Sequence, residues 1–467
     1  MIRIFRHYIP ISLIVLAFSE AMILWFSIYI GVQLRFWDSH ESDVLTSTGP
    51  LSSKALVFTF VMLILMMSIG LYQRNMREGV IGMLARIIAS FLLGLFLMTL
   101  LFYTFPTIFL GRGAFGMAFG AAFFGIIVAR FVFLGVVNQD TLKKRVLVLG
   151  AGQIAMELNN QLRRKSDRRG FLIVGFLHIH GEQDVLDAKV VIPYDAPMVE
   201  IAQRLRVDEI VIAVEDRRKG LPVHDILDCK MCGIEVVDLL TFFERQTGKI
   251  KLDILHPSWM IFSDGFKYSV LRNYAKRSFD VVVSFLLLLL TWPVFLLAAL
   301  AILVGNGGRG PILYRQVRVG ENWKLFHIFK FCSMRADAES DGVARWAKKN
   351  DNRVTRVGKV IRMLRIDELP QIFNVLKGDM SFVGPRPERP EIVESLCEKI
   401  PYYAERHRVK PGITGWAQIC YSYGASERDA LEKLQYDLYY VKNYSLFLDF
   451  TILTLTVEVI LWRKGSR

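Results

Sequence analysis

The chain has 467 residues, 53% of them hydrophobic, and a formal net charge of +14. A mean hydropathy of +0.34 is too high for a wholly soluble chain, so part of it lies in lipid, and the length suits about three modules. The basic balance fits anionic membrane surfaces and phosphorylated substrates. It disfavours nucleic acid, because the basic residues flank apolar segments instead of gathering in one polar domain.

Four apolar stretches, 8–30, 55–72, 87–105 and 114–137, each approach the ~20 residues that cross a bilayer, and they predict a four-helix transmembrane bundle over 1–139. The first is long and lacks a small-residue cleavage pattern, so it reads as an anchor. Arg3 and Arg6 precede it; Asp38, Glu41 and Asp43 follow it. Arg74, Arg77 and Arg86 separate the second and third stretches, and Lys143, Lys144 and Arg145 follow the fourth. The positive-inside rule then puts both ends of the bundle in the cytoplasm. Glu20 marks either a ligand path or a side chain facing the bundle interior.

Residues 140–265 read as a Rossmann-like cytoplasmic domain. Arg145-Val146-Leu147-Val148-Leu149 is a buried-strand run, 171–177 and 209–214 are further strands, and helical stretches lie between, which predicts a parallel α/β sheet. Gly150, Gly152 and Ala155 fit G-x-G-x-x-A, a turn that seats a pyrophosphate on a helix N-terminus. The acid that a dinucleotide fold wants at the end of the second strand is missing, since that strand closes on Leu177-His178. A structural or regulatory module is therefore favoured over an NAD site. Five odd, scattered cysteines argue against a disulfide framework. Cys229 and Cys232 form a single C-x-x-C with only His224 nearby, so they are expected to be structural, not a zinc or redox site.

Residues 266–467 form the third segment. The run 281–304 is long enough to span, but Pro293 sits inside it and kinks a helix there. Basic residues flank both ends: Arg272, Lys276 and Arg277 before it, then Arg309, Arg315 and Arg318. A true span would also put the two polar domains on opposite sides of the membrane. A re-entrant helix over 276–304 that dips into the membrane and returns satisfies all three features and is favoured over the alternative, a plain fifth span. The tail 446–462 is apolar and ends in Trp462-Arg463-Lys464; it suits either an interfacial helix or a packed core helix.

The chemistry concentrates at Arg365-Ile366-Asp367-Glu368-Leu369-Pro370-Gln371. A helix starting near Asp367 would bury Leu369, Ile372, Phe373 and Leu376, and would set both carboxylates at its positive end. An ionised carboxylate attacks phosphorus without a general base, and its acyl phosphate remains reactive enough for a second transfer. A neighbouring carboxylate holds Mg²⁺, which neutralises a diphosphate. Gly384-Pro385-Arg386-Pro387 brackets one arginine with two prolines, fixing a guanidinium for two-pronged phosphate binding. Lys330, Arg353, Arg362 and Arg365 add cations, and Asp351 and Asp379 add acids, so the region reads as an anion site.

Five segments then resemble the bacterial sugar transferases that start glycan assembly on polyprenyl phosphate, the monotopic phosphoglycosyl transferases. They are Lys276-Arg277-x-Phe279-Asp280, Gly310-Pro311 with Tyr314-Arg315-Gln316, residues 351–358, residues 364–387, and Lys410-Pro411-Gly412-Ile413-Thr414-Gly415-Trp416. The likeness covers about 272–467. The spans and the α/β insert look like the large members, most of all the exopolysaccharide and exosortase-associated group. The resemblance implies an α-rich monotopic catalytic domain with a re-entrant membrane helix. It implies Asp367 as nucleophile, Glu368 as its partner at the metal, and Arg386 at the donor phosphates. Lys276, Arg277 and the Pro293 kink match the re-entrant helix. Ile366 replaces the leucine common before the acidic pair.

The expectation is thus a multi-pass enzyme of the bacterial inner membrane that moves a sugar-1-phosphate from a UDP-sugar to polyprenyl phosphate, with Mg²⁺ as cofactor, Asp367 and Glu368 as catalytic and metal-binding pair, and inner-membrane lipid as surroundings. A homodimer is compatible with a spanning bundle that carries an α/β insert. Two competitors are a membrane-tethered nucleotide-sugar dehydratase or epimerase and a non-enzymatic assembly scaffold. The first needs Tyr-x-x-x-Lys, and no tyrosine here has a lysine four positions later. The second leaves Asp367, Glu368 and Arg386 without a purpose.

Overall fold

The computed structural model describes residues 2–4, 7–37, 49–73, 79–137, 143–162, 170–179, 183–214, 221–266, 269–305, 310–334, 353–421, 424 and 426–461. Asp38, Glu41, Asp43, Arg74, Arg77, Arg309, Asp351 and residues 462–464 lie outside these. Tyr8–Thr247 and Gly248–Arg467 form two compact units, and His7 packs in the second.

The first unit opens with four long apolar helices, α1 (Ile11–Arg35), α2 (Leu51–Ser68), α3 (Gly79–Thr104) and α4 (Arg112–Val137), each long and apolar enough to cross a membrane. Apolar residues cover every face of these helices, so packing selects small side chains where backbones approach. Gly31 of α1 meets Ala118 of α4 so closely that a Cβ there would strike the α4 backbone. Glu20 is fully buried inside the bundle and bonded to Arg130, Nε to Oε1 at 2.5 Å and Nη2 to Oε2 at 3.0 Å. Tyr72 donates to the same carboxylate, and Arg130 also donates to the Leu71 carbonyl at 2.6 Å. The acid therefore faces the interior and is neutralised there. Removing one partner of such a buried pair costs about 3–5 kcal/mol.

An α/β layer completes this unit: β1 (Lys144–Leu149), α5 (Gln153–Gln161), β2 (Phe171–Leu177), β3 (Val191–Ile192), α6 (Met198–Arg204), β4 (Glu209–Ile212), α7 (Val223–Met231), β5 (Glu235–Asp238) and α8 (Leu239–Thr247). The strands form one parallel sheet in the order β3-β2-β1-β4-β5, the expected Rossmann-like arrangement. Its central strand is buried from Val146 to Leu149, as both-sided helix cover requires. Cys229 lies in this core while Cys232 is exposed.

In the second unit, α9 (Pro257–Phe262) precedes α10 (Val270–Gly305). The hairpin β6 (Leu313–Val319) and β7 (Leu325–Phe331) follows, then α11 (Arg356–Met363), a 3₁₀ turn at Ile366–Glu368 and α12 (Gln371–Lys377). The parallel pair β8 (Ser381–Val383) and β9 (Gly412–Thr414) brackets α13 (Pro390–Lys399). The chain closes with α14 (Trp416–Cys420), α15 (Glu427–Asn443) and α16 (Leu446–Leu461).

The helix expected over 276–304 begins six residues earlier and runs through Pro293. Pro293 offers no N–H to the preceding turn, and the Thr291 hydroxyl bonds back to the Leu287 carbonyl at 2.6 Å, a contact that bends helices. Both ends of α10 dock on the same unit. At one end Lys276 Nζ meets Asp449 Oδ2 at 2.6 Å and the Val383 carbonyl at 3.1 Å. There too Asp280 accepts from the Ser381 hydroxyl at 3.0 Å and the Phe382 N–H at 3.2 Å. At the other end Ala298 and Ile302 join Phe331 and Ile361 in a core cluster. Between them, residues 285–297 carry no buried side chain. Of the two readings of the tail, the packed helix is the one found: α16 buries Leu448, Asp449, Ile452 and Glu458.

Candidate active site

Asp367 and Glu368 do not open a helix, as the sequence suggested. They sit in the 3₁₀ turn, entered through Arg365 at φ +59°, and α12 starts only at Gln371. Its buried face is accordingly Ile372 and Val375 with Gln371 and Asn374, not the expected apolar set, and Phe373 stays exposed against Phe295. The left-handed residue redirects the chain, which rotates every later side chain. Buried Asn374 then fastens α12 to β7, accepting from the Phe329 N–H at 2.9 Å and donating to the His327 carbonyl at 2.7 Å. This contact brings Lys330, the next residues along β7, to the acidic turn.

Glu368 Oε1 lies 3.0 Å from Arg386 Nη2 and 3.7 Å from Lys330 Nζ. Asp367 Oδ1 is buried with no hydrogen-bond partner among the described residues. Two adjacent carboxylates thus live in opposite surroundings. Burial alone would raise Glu368, but Arg386, Lys330 and Arg365 overcome it and hold it down to about 2. Burial, then the neighbouring Glu368 charge, pushes Asp367 up, with Lys330, Arg362 and Arg365 opposing. Burial also lowers Lys330, against the pull of Glu368. One carboxylate is a permanently charged anchor for cations; the other is desolvated and leaves a lone pair uncommitted.

The segment carrying Arg386 is pinned from several sides. Gly384 N–H donates to the Thr414 carbonyl and Gly412 N–H to the Pro385 carbonyl, both at 2.9 Å. A Cβ on Gly384 would collide with the Lys410 carbonyl, so glycine is what lets the two chain segments close. Arg406 Nη2 donates to the Arg386 carbonyl at 3.0 Å, and Arg318 Nη1 to the Pro387 carbonyl at 3.0 Å. Arg406 is itself buried, 2.8 Å from Asp437 and 2.5 Å from the Tyr403 hydroxyl. Arg318, Lys330, Gln371, Arg386 and Pro387 line a small cleft beside Glu368.

The structure therefore gathers Asp367, Glu368, Lys330, Arg362, Arg365 and Arg386. Arg353 lies next to Val354, which bridges to Met334. Asp379 faces Lys377 at 3.1 Å. Lys276 and Arg277 lie on α10 but turn inward: Arg277 donates at 2.5 Å to the Val375 and Leu376 carbonyls, capping α12. Sequence reading missed Asn374, Arg406 and Asp437, and took Arg318 only as a basic flank of the apolar run. Only the Arg406 and Arg408 cations near Lys410-Pro411-Gly412 hinted at them. No three-ligand His, Cys, Asp or Glu cluster occurs among the described residues. The bare Asp367 oxygen next to Glu368 nevertheless fits Mg²⁺, which takes one or two carboxylates and completes its shell with substrate phosphates and water.

Residues 271–463 match the family described as bacterial sugar transferase, and 67–228 match the CoA-binding domain family. The UDP-glucose:undecaprenyl-phosphate glucose-1-phosphate transferase of Xanthomonas campestris pv. campestris is 32% identical over 372 residues, covering 76% of this chain and 75% of that protein. The chain belongs to the bacterial sugar transferase family. The UDP-N-acetylgalactosamine-undecaprenyl-phosphate N-acetylgalactosaminephosphotransferase of Aeromonas hydrophila is 43% identical over 239 residues, 51% of this chain and 55% of that protein. The undecaprenyl-phosphate glucose phosphotransferase of Komagataeibacter xylinus is 34% identical over 342 residues, 70% of this chain and 60% of that protein. The chain thus spans little more than half of these last two relatives. The α/β module of this family member carries the CoA-binding description, and that match begins within the membrane helices.

Proposed function

We propose that the protein transfers a sugar-1-phosphate from a UDP-sugar to undecaprenyl or a similar polyprenyl phosphate, by ping-pong chemistry through Asp367. A carboxylate oxygen of Asp367 attacks the β-phosphorus, the bond from that phosphorus to the bridging oxygen breaks, and UMP leaves. A lipid phosphate oxygen then attacks the same phosphorus, the Asp367 O–P bond breaks, and the products are a lipid-linked diphosphosugar and the free carboxylate. One anhydride replaces another, so the residues must position groups and neutralise charge. Arg386 and Lys330 bind the donor phosphates, with Glu368 holding both cations in place. Asp367 and Glu368 would hold Mg²⁺, which would further neutralise the diphosphate.

The observation that carries this reading is the buried Asp367 Oδ1, without a hydrogen-bond partner among the described residues, beside a Glu368 committed to two cations. The relatives support the acceptor class, since each is named for undecaprenyl phosphate. Their named sugars differ, glucose and N-acetylgalactosamine, so the donor is assigned only as a UDP-sugar. We further place the reaction on the cytoplasmic side of the inner membrane, with α10 re-entrant, at the first membrane step of exopolysaccharide or related glycan assembly, as in the exopolysaccharide and exosortase-associated group. Protein mixed with donor alone is expected to release one UMP per site and to gain a phosphosugar mass on the Asp367 peptide. UMP release that requires acceptor, with no adduct at any time, would overturn the two-step route.

A further inference from the structure

The cations that precede the apolar run of α10, Arg272, Lys276 and Arg277, turn toward protein partners. Arg272 donates to the Tyr444 carbonyl at 3.0 Å and lies 4.6 Å from that ring. Lys276 and Arg277 are consumed by Asp449 and by the end of α12. With its charges turned inward, α10 presents an apolar outer face that begins earlier than the sequence indicates. Leu271 is 80% exposed and Tyr274 70% exposed. Beyond the exposed Ser278 the same face carries Val282, Phe285 and Leu289, all exposed.

Helix α9 adds to the same place. Lys442 Nζ sits 3.9 Å from the Trp259 ring centroid, and the Phe266 N–H donates to the Lys442 carbonyl at 3.2 Å. Those contacts tie α9 to the end of α15, next to the Tyr444 that holds Arg272. Trp259 faces this anchor, whereas Ile261 and Phe262 are 74% and 86% exposed. An isolated exposed phenylalanine is ordinary; four large exposed side chains at the start of α10 are a surface.

We infer that Ile261, Phe262, Leu271 and Tyr274 form a second membrane contact, seated at the boundary between headgroups and acyl chains beside the point where α10 enters. The inference rests on the reading of α10 as a membrane-inserted helix. The partner is lipid because the surface adjoins the apolar face of that helix where it enters, and places a tyrosine where an aromatic with a polar tip is favoured; Asp264, also exposed, belongs to its polar edge. It fixes the height of the catalytic unit above the bilayer, and so the reach of the acidic turn to a lipid phosphate.

The test uses the full chain in lipid nanodiscs that contain a phospholipid with an acyl-chain diazirine, followed by irradiation and peptide mass analysis. Label is expected in 257–274 as well as in 281–304, and Ile261→Ser with Phe262→Ser should cut the 257–274 label several-fold. Label confined to 281–304 overturns this contact and leaves the insertion of α10 standing; label in neither segment overturns both. Label in 257–274 that the double variant does not change also overturns the assignment to these side chains. If a second copy covers the surface, 257–274 stays unlabelled by lipid and appears in cross-links between copies, which overturns it as well.

Discussion

Asp367 and Glu368 are chemically almost the same group, and their surroundings assign them different work. Asp367→Asn keeps shape and removes a charge that burial disfavours. It is expected to abolish UMP release and the adduct while leaving the melting temperature equal to or above that of the parent. Retained turnover in a single-turnover UMP assay would remove Asp367 as nucleophile. The acid limb of the donor half-reaction should titrate Asp367, since only its ionised form attacks. Burial raises that group first and the Glu368 charge raises it further, so Glu368→Gln should move the limb to lower pH. The same change frees Arg386 and Lys330 and should slow the half-reaction by roughly 10²–10³-fold, the usual loss when a preorganised charge contact is removed. A limb that moves upward would mean that Glu368 does not act on Asp367 through its charge.

At the scale of elements, the least visible device is the support beneath Arg386. The Asp367-Glu368 pair and the Pro385-Arg386-Pro387 segment were legible because their chemistry is contiguous in the chain. Arg406 and Asp437 were not, because their pairing is made by the fold across 3₁₀ and helical segments. The start of α12 was misread for a local reason: Arg365 adopts a left-handed conformation that an arginine rarely takes, and nothing in its neighbours announces it. The parallel sheet and the long apolar helices were legible from periodicity and length alone, whereas Arg130, the partner of Glu20, was hidden inside an apolar run. Arg406→Gln should destabilise the protein by about 3–5 kcal/mol, because Asp437 is left buried without its countercharge, and should also loosen Arg386. Arg406→Met with Asp437→Leu separates the two effects. Thermal unfolding should return toward the parent value, whereas kcat should stay depressed by about 10²-fold, the effect of a misplaced phosphate ligand. Full recovery of kcat in the double variant would make the pair structural only.

For the whole molecule, every group in the proposed chemistry, from Lys330 to Asp437, belongs to the second unit. That unit also includes His7, whose ring bonds the Tyr439 hydroxyl at 2.9 Å and meets Trp416 edge-on at 5.6 Å between centroids. Burial lowers His7 to about 4 and His407 to about 3. A folded value below the usual 6.5 means that the unfolded chain takes up the proton first. Stability from these rings is therefore complete above about pH 6.5 and declines as pH falls toward 4. His7→Phe should flatten part of that decline in melting temperature, and an unchanged slope would show that His7 is accessible to protons when folded. A chain of residues 248–467 keeps the acidic turn, its cations and α10, but lacks His7. It is expected to release UMP from the donor at close to the parent rate. It should be less stable by about 1–2 kcal/mol, the worth of one partly buried hydrogen bond and its ring contacts. Well-folded 248–467 protein that binds donor yet releases no UMP would mean that the first unit takes part in the chemistry itself, since the loss of His7 alone affects stability and not the placement of Asp367.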